Sequence, residues 1–173
     1  MSITARLEDA RLLIEHRRWE GALLSVLVAV AATARRRYPL GTPSQANPSR
    51  EMSDRERFEL FVAEALAHVS AVPGLRIELE GKIRPFGEVL YKWLRCTLAH
   101  EAELPPEIGF EPDPKPVHIA IGHHPGPPER VVFTYSVVIM LADMVARAAE
   151  NSDVPSQLRE QLIGMFRDGS GAA

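Results

Sequence analysis

Apolar side chains recur at the three- and four-residue spacing of an amphipathic helix along most of the chain. No proline occurs between Ser2 and Arg37, which predicts one long helix or two in series, with Gly21 as the weakest point. A second apolar stripe follows Ser53 and Glu56, whose spacing has the form of a capping box. The pattern therefore predicts a long N-terminal helical region and a second helix that begins near Ser53.

The rest of the chain predicts further helices and a minor β element. The helices run from about residue 85 to 101, from about 136 to 150 and from about 156 to 167. The β-rich runs VHIAIG and RVVFTY are separated by HHPGPPE, which favours a small hairpin, while LRIEL allows a very short strand or an extended link. We therefore expect an all-α fold, an up-and-down bundle of four to five helices with a small β-hairpin insertion.

Length and composition favour a single globular domain. The chain has 173 residues, 46% of them apolar and 25% charged, so we expect one domain over residues 1–168 and a disordered tail over 169–173. The longest apolar run, residues 21–34, is shorter than the roughly 20 residues that a bilayer requires, and acidic residues precede it. We therefore expect a core helix, no membrane contact, no export and a cytoplasmic location.

Charge and cysteine content limit the kinds of binding site and cross-link that the chain can form. The formal net charge is −3, so any contact with nucleic acid must come from a local basic patch. The single cysteine, Cys96, cannot form an internal disulfide and suits a reducing compartment. The adjacent His123 and His124 lack an evident third ligand, and we expect them to be solvated turn residues. No metal and no cofactor is predicted.

The predicted helix over residues 85–101 carries the most distinctive pattern. Three leucines share one face at 100° per residue: Leu90, Leu94 and Leu98. Arg95 and His100 straddle the opposite face, with the small residues Cys96 and Ala99 between them. Small residues let a partner helix or a polynucleotide strand come close, while the guanidinium and the imidazole can still converge above them. This geometry suits a dimer interface.

The segment LYKWLRCTLAHE resembles the active helix of the HEPN superfamily, in which arginine, four to six residues and histidine form a ribonuclease motif. Arg95 and His100 are the matching positions. The resemblance implies metal-independent cleavage of RNA in a homodimer whose two helices share one cleft. His100 would take the proton from a ribose 2′-hydroxyl, and Arg95 would neutralise the charge on the phosphoryl oxygens. The second His100 would protonate the leaving oxygen.

The candidate substrate-binding residues fall in two groups. Cys96, Ala99 and Glu101 lie in the motif helix itself. The first helical region ends in three consecutive cations, Arg35, Arg36 and Arg37, which could guide RNA. The helix dipole alone also explains cations at the end of a helix.

Other interpretations of the same residues stay open. Arg95 could be an interfacial arginine and His100 a helix-terminal histidine stabilised by the dipole. Arg11 and His16 have the same spacing on a charged helix face, where solvation explains them. Residues 85–116 carry a net charge of −3, which repels a polyanion, and Cys96 stands where many active HEPN members have a polar residue.

The alternative function is a non-catalytic bundle of the same ancestry. It would bind a nucleotide, a nucleic acid or a protein partner, for example as half of a toxin–antitoxin or defence pair. A purely structural dimerisation module is a third possibility.

Overall fold

The computed structural model describes residues 2–69, 74–111, 121–124 and 130–167. Within them the chain forms six helices and five strands. The helices are α1 (Ile3–Glu15), α2 (Trp19–Arg37), α3 (Asp54–Val69), α4 (Phe86–Glu88, Val89–Cys96 and Thr97–Glu101 in direct succession), α5 (Ser136–Arg147) and α6 (Ser156–Arg167), with a 3₁₀ turn at Ala149–Asn151. The strands are β1 (Arg76–Leu79), β2 (Lys82–Pro85), β3 (Ile108–Glu111), β4 (Ile121–His124) and β5 (Arg130–Thr134). The predicted tail, residues 169–173, lies outside the described residues.

The expected all-α bundle of four to five helices is wrong, because the fold is mixed α/β. Strands β1 and β2 form an antiparallel pair, and a second sheet has the order β3-β5-β4. In that sheet β3 runs parallel to β5, whereas β4 runs antiparallel to it. The predicted hairpin between β4 and β5 is thus confirmed for the described residues, but it belongs to a larger sheet.

The β1–β2 hairpin forms because its turn residues adopt the left-handed conformation. Glu80 and Gly81 have φ angles of 53° and 67°, and two positive φ values in a row are the requirement of a two-residue type I′ turn. Ile77 and Leu79 alternate with exposed residues along β1 and are buried in the core. LRIEL is therefore a strand rather than an extended link.

The N-terminal helical region consists of two helices in series, but the break does not lie at Gly21. The chain turns at Arg17, whose φ is 55°. Its backbone N–H donates to the carbonyl oxygen of Ile14 at 2.9 Å, and that of Arg18 donates to Leu13 at 2.7 Å. This pair of bonds is a Schellman motif, which satisfies the last carbonyls of α1. Gly21 lies within α2.

Helix α2 lies at the centre of the core. It contacts α1, α3, α4 and α5, and its fully buried residues include Leu23, Val26, Leu27 and Val30. Its apolar run is buried in the protein, as expected of a core helix. In the described part of the chain, no helix combines the length and apolar character needed to cross a bilayer.

Two local features fix the start of α3 and of α4. The Ser53 hydroxyl accepts a hydrogen bond from the backbone N–H of Glu56 at 3.2 Å, so the predicted cap is confirmed. At Gly87, an added Cβ would lie 3.1 Å from the Cα of Glu59 and 3.2 Å from its carbonyl oxygen. This close approach sets the position of α4 against α3.

Helix α4 ends at Ala102, which has a φ of 59° in the left-handed region. Because a Cβ is unfavourable there, replacing Ala102 by glycine is expected to raise the free energy of unfolding by about 0.5–1 kcal/mol. Urea denaturation measures the change. Ala63, exposed in the middle of α3, is the control: Ala63→Gly should lower stability by about 1 kcal/mol. A loss of stability in Ala102→Gly would contradict the prediction.

Candidate functional site

The middle of α4, Val89–Cys96, is a π-helix, in which the backbone bonds run to the fifth residue. Such segments are rare and often occur at functional sites. The spacing of 100° per residue does not hold in a π-helix, yet the predicted apolar face is confirmed. Its leucines are all buried: Leu90, Leu94 and Leu98. The arginine of the motif thus lies on a widened helical turn.

Arg95 is half-buried and has no carboxylate partner within the described residues. Its guanidinium carbon lies 5.2 Å from the centroid of the Tyr91 ring, which is a cation–π contact. Its Nε is buried and makes no hydrogen bond to any described residue. A buried N–H without an acceptor is uncommon. The positive charge of Arg95 is therefore left without a counterion from the part of the chain that is described.

The other residues of the motif lie toward the end of α4. Ala99, His100 and Glu101 are exposed, and Cys96 is half-buried. The His100 imidazole makes no hydrogen bond or ion pair with a described residue. At about 1.5 Å per residue, Arg95 and His100 are separated by about 7.5 Å along the helix axis. In a regular helix the five-residue offset also rotates the two side chains about 140° apart, so the axial separation alone does not bring them to one point.

The arginines at the end of α2 are all engaged in ion pairs. The Nε of Arg35 donates to Asp54 at 3.1 Å. Arg36 contacts Asp153 at 2.8 Å, and Arg37 contacts Glu150 at 2.7 Å. These pairs hold α2 to the start of α3 and to the segment after α5. Binding of RNA by the three arginines stays a prediction, and each already has a structural partner.

The pair of Arg37 and Glu150 is partly buried, with both side chains 23% exposed. Hydrogen bonds from Arg37 lower the pKa of the Glu150 carboxyl. A lowered pKa in the folded state stabilises the protein above the unfolded value of about 4.3, and this contribution is lost as the pH falls through the folded value. The pair therefore contributes to stability at neutral pH and not in acid.

Glu150→Gln is accordingly expected to lower the free energy of unfolding by about 1 kcal/mol at pH 7, because one charge-assisted pair is lost. The difference from the unmodified protein should be smaller at pH 3 than at pH 7. Urea titrations at both pH values measure it. Glu8, exposed on α1 and without an ion pair among the described residues, is the control, and Glu8→Gln should change little. Equal losses at pH 7 and pH 3 in Glu150→Gln would contradict this assignment.

The second arginine–histidine pair has a different environment. Arg11 forms an ion pair with Glu15 one turn away on α1, and His16 is the exposed C-cap residue of that helix. The guanidinium of Arg11 is therefore neutralised, in contrast to that of Arg95. The two pairs share a spacing and differ in charge balance.

Metal ligation has no support among the described residues. Residues 2–69, 74–111, 121–124 and 130–167 contain no group of three or more histidine, cysteine, aspartate or glutamate side chains that could hold a metal ion. His68 is exposed in the last turn of α3. His123 and His124, expected in the turn, are instead the last two residues of β4, opposite Val131 and Arg130 of β5, and their side chains are not described.

A cleft at the corner between α1 and α2 was not predicted from the sequence. We call it the α1–α2 cleft; it has a volume of about 580 Å³ and its lining includes Leu13, Arg18, Trp19, Glu20, Leu104 and Tyr135. Trp19 and Tyr135 stack in it with a centroid distance of 4.1 Å and an interplanar angle of 4°. The sequence carries no local signal for this pairing, because the two residues are distant along the chain.

These features define a mixed α/β protein with a separate aromatic cleft and with an arginine, on a π-helical segment, that has no carboxylate partner in the described part of the chain. A family model described as Rv1289 matches residues 2–164, so the chain belongs to the Rv1289 family. No curated protein and no solved structure matches the chain.

Proposed function

We propose that the chain is a metal-independent endoribonuclease of HEPN type with Arg95 and His100 in its active site. The observation that carries this proposal is the environment of Arg95. Its guanidinium lacks a carboxylate partner within the described residues, whereas Arg84, in β2, pairs with Glu88 of α4 at 2.9 Å. An arginine left free of counterions is available to bind a phosphate group.

In the proposed step, neutral His100 takes the proton from a ribose 2′-hydroxyl. The 2′-oxygen then attacks the adjacent phosphorus, and the bond from phosphorus to the 5′-oxygen of the next nucleotide breaks. Arg95 stabilises the negative charge on the non-bridging oxygens. The products are a 2′,3′-cyclic phosphate and a 5′-hydroxyl, and no metal ion is needed to form the nucleophile.

A homodimer supplies the missing acid. The 5′-oxygen must receive a proton as it leaves, and a second, protonated His100 from the partner chain can donate it across a twofold axis. Within each chain, Cys96 and Ala99 are small and leave room for the RNA backbone beside α4. Glu101 is exposed next to His100 and can accept a hydrogen bond from a ribose hydroxyl.

The test is cleavage of a labelled RNA by the purified protein in the presence of a metal chelator. We expect RNA to be cut to products with cyclic phosphate ends, while DNA and 2′-O-methyl RNA of the same sequence stay intact because they lack the nucleophilic hydroxyl. Uncut RNA under these conditions would overturn the proposal. Cleavage of DNA or of 2′-O-methyl RNA would overturn the mechanism.

The alternative is a non-catalytic protein that binds a nucleotide, a nucleic acid or a protein partner such as an antitoxin. The cation–π contact between Arg95 and Tyr91 favours it, since this contact alone gives Arg95 a packing role. Binding of RNA without cleavage would support this alternative.

A further inference from the structure

The α1–α2 cleft has the size of a small-molecule site. Its volume of about 580 Å³ falls within the range of roughly 300–1,000 Å³ typical of ligand pockets. Leu104 lines it and follows His100 by four residues, so their Cα atoms are at most about 14 Å apart. The cleft is thus near the proposed active site but consists of different residues.

One side of the cleft is apolar and aromatic. Its lining includes Leu13, Leu104 and Phe110 besides the stacked rings of Trp19 and Tyr135. Trp19 and Tyr135 each cover one face of the other, so a planar ring such as a nucleobase would pack against the outer side of this pair and the neighbouring apolar side chains, a contact that needs no particular hydrogen-bond pattern.

Trp19 also supplies an unused polar group. Its side chain is only 9% exposed, and its indole N–H donates no hydrogen bond to any described residue. The indole nitrogen of Trp93 is fully enclosed and has no hydrogen-bond partner. The indole nitrogen of Trp19 does not belong to this group. Trp19 lines the cleft, and its indole N–H is a donor that no described residue engages.

The polar side of the cleft favours an anion. Arg18 is exposed, and its side chain forms no ion pair with a described residue. It is also the N-cap residue of the 19-residue helix α2, and its side chain makes no capping hydrogen bond. Uncapped N–H groups at a helix N-terminus and a nearby guanidinium are together a favourable environment for phosphate. Glu20, also in the lining, can accept a hydrogen bond from a base N–H.

From this combination we infer that the α1–α2 cleft binds a nucleotide, with the base on the aromatic side and the phosphate at Arg18 and the start of α2. The nucleotide is either a free mononucleotide or one residue of an RNA strand. The inference does not require the chain to cleave RNA.

Calorimetric titration of the full chain with AMP and with GMP tests the inference, since neither compound has an internucleotide bond to cleave. We expect saturable binding of at least one of them with one site per chain. Adenosine and guanosine lack the phosphate, and inorganic phosphate lacks the base. Each should therefore bind at least about tenfold more weakly. Titration with a short 2′-O-methyl RNA distinguishes a free mononucleotide from one residue of an RNA strand as the ligand. A strand that binds more tightly than the mononucleotide identifies the cleft as an RNA subsite.

Arg18→Ala is expected to weaken binding about tenfold or more, because one charge-assisted contact to the phosphate is lost. Tyr135→Leu should weaken it as well through loss of stacking. Arg50→Ala is the matched control: it removes the same charge from an exposed loop residue outside the cleft lining and should alter binding less than about twofold. Circular dichroism establishes that each variant is folded.

Three results would overturn the inference. They are absence of AMP and GMP binding at millimolar concentration, equal binding of phosphate alone, and equal loss of affinity in Arg18→Ala and Arg50→Ala. None of them bears on RNA cleavage, so the inference and the proposed endoribonuclease activity can fail separately.

Discussion

His100→Ala is expected to lower the rate of RNA cleavage by at least about a hundredfold. General acid–base catalysis contributes about 10²–10⁴ in rate, and in the proposed dimer the substitution removes the base of one chain and the acid of the other. His100 is exposed and makes no hydrogen bond to the described residues, so folding should be unaffected. Initial rates measured with a metal chelator, together with circular dichroism spectra, give the result.

The chain contains its own control for this experiment. His16 is exposed at the end of a helix and follows Arg11 at the same spacing, but Arg11 is paired with Glu15. His16→Ala should therefore leave the cleavage rate within about twofold of the unmodified protein. A normal rate in His100→Ala, or an equal loss in both variants, would exclude His100 as the catalytic base.

Local sequence signals predicted the helices well. The capping box at Ser53 and Glu56 is formed, and α4 begins at Phe86 and continues to Glu101 as expected from the proline before it and the leucine repeat. The π-helical segment was not predicted, because an apolar stripe has similar spacing for bonds to the fourth or to the fifth residue. The break between α1 and α2 was placed at Gly21, since arginine is an unusual residue for a left-handed position.

The predicted fold class was wrong because the sequence signals for the two sheets are weak or come from residues that are distant along the chain. The turn of the first hairpin is Glu80–Gly81, whereas the recognisable type I′ sequences have asparagine, aspartate or glycine at the first position. Strand β3 has only four residues, one of them Gly109, and pairs with β5 about twenty residues further on. A short parallel pair of this kind is set by tertiary packing and not by local preference.

The spacing of arginine and histidine could not separate the two pairs, since both have four intervening residues. The two pairs differ in the neighbour of the arginine, which is a carboxylate for Arg11 and an aromatic ring for Arg95. The partners of Arg36 and Arg37 after α5 lie more than a hundred residues away in the sequence. No local pattern could therefore show that these cations are neutralised.

Asn151 connects the same region to the core through buried hydrogen bonds. The side chain is fully buried, and its amide nitrogen donates to the Thr33 hydroxyl and to the Val145 carbonyl oxygen, both at 2.8 Å. Its amide oxygen accepts a hydrogen bond from Arg36 at 3.1 Å. One small side chain therefore connects α2, the end of α5 and the 3₁₀ turn.

Asn151→Ala is expected to lower the free energy of unfolding by about 3 kcal/mol. Two buried hydrogen bonds are lost at about 1 kcal/mol each, and the partly buried bond that the amide oxygen accepts from Arg36 is lost as well. For a chain of this size the midpoint of thermal unfolding should fall by roughly 6–12 °C. Asn47, exposed in the loop before α3 with only local bonds, is the control, and Asn47→Ala should lose less than about 1 kcal/mol.

RNA binding by Asn151→Ala separates the two roles considered for Arg36. If Arg36 serves only to hold α2 to the 3₁₀ turn, the variant should be less stable but should bind RNA with unchanged affinity below its unfolding temperature. If Arg36 also contacts RNA, loss of the Asn151 bond makes its guanidinium more available, and affinity should rise. A loss of stability below 1 kcal/mol would show that water or a shifted backbone replaces the Asn151 bonds at little cost.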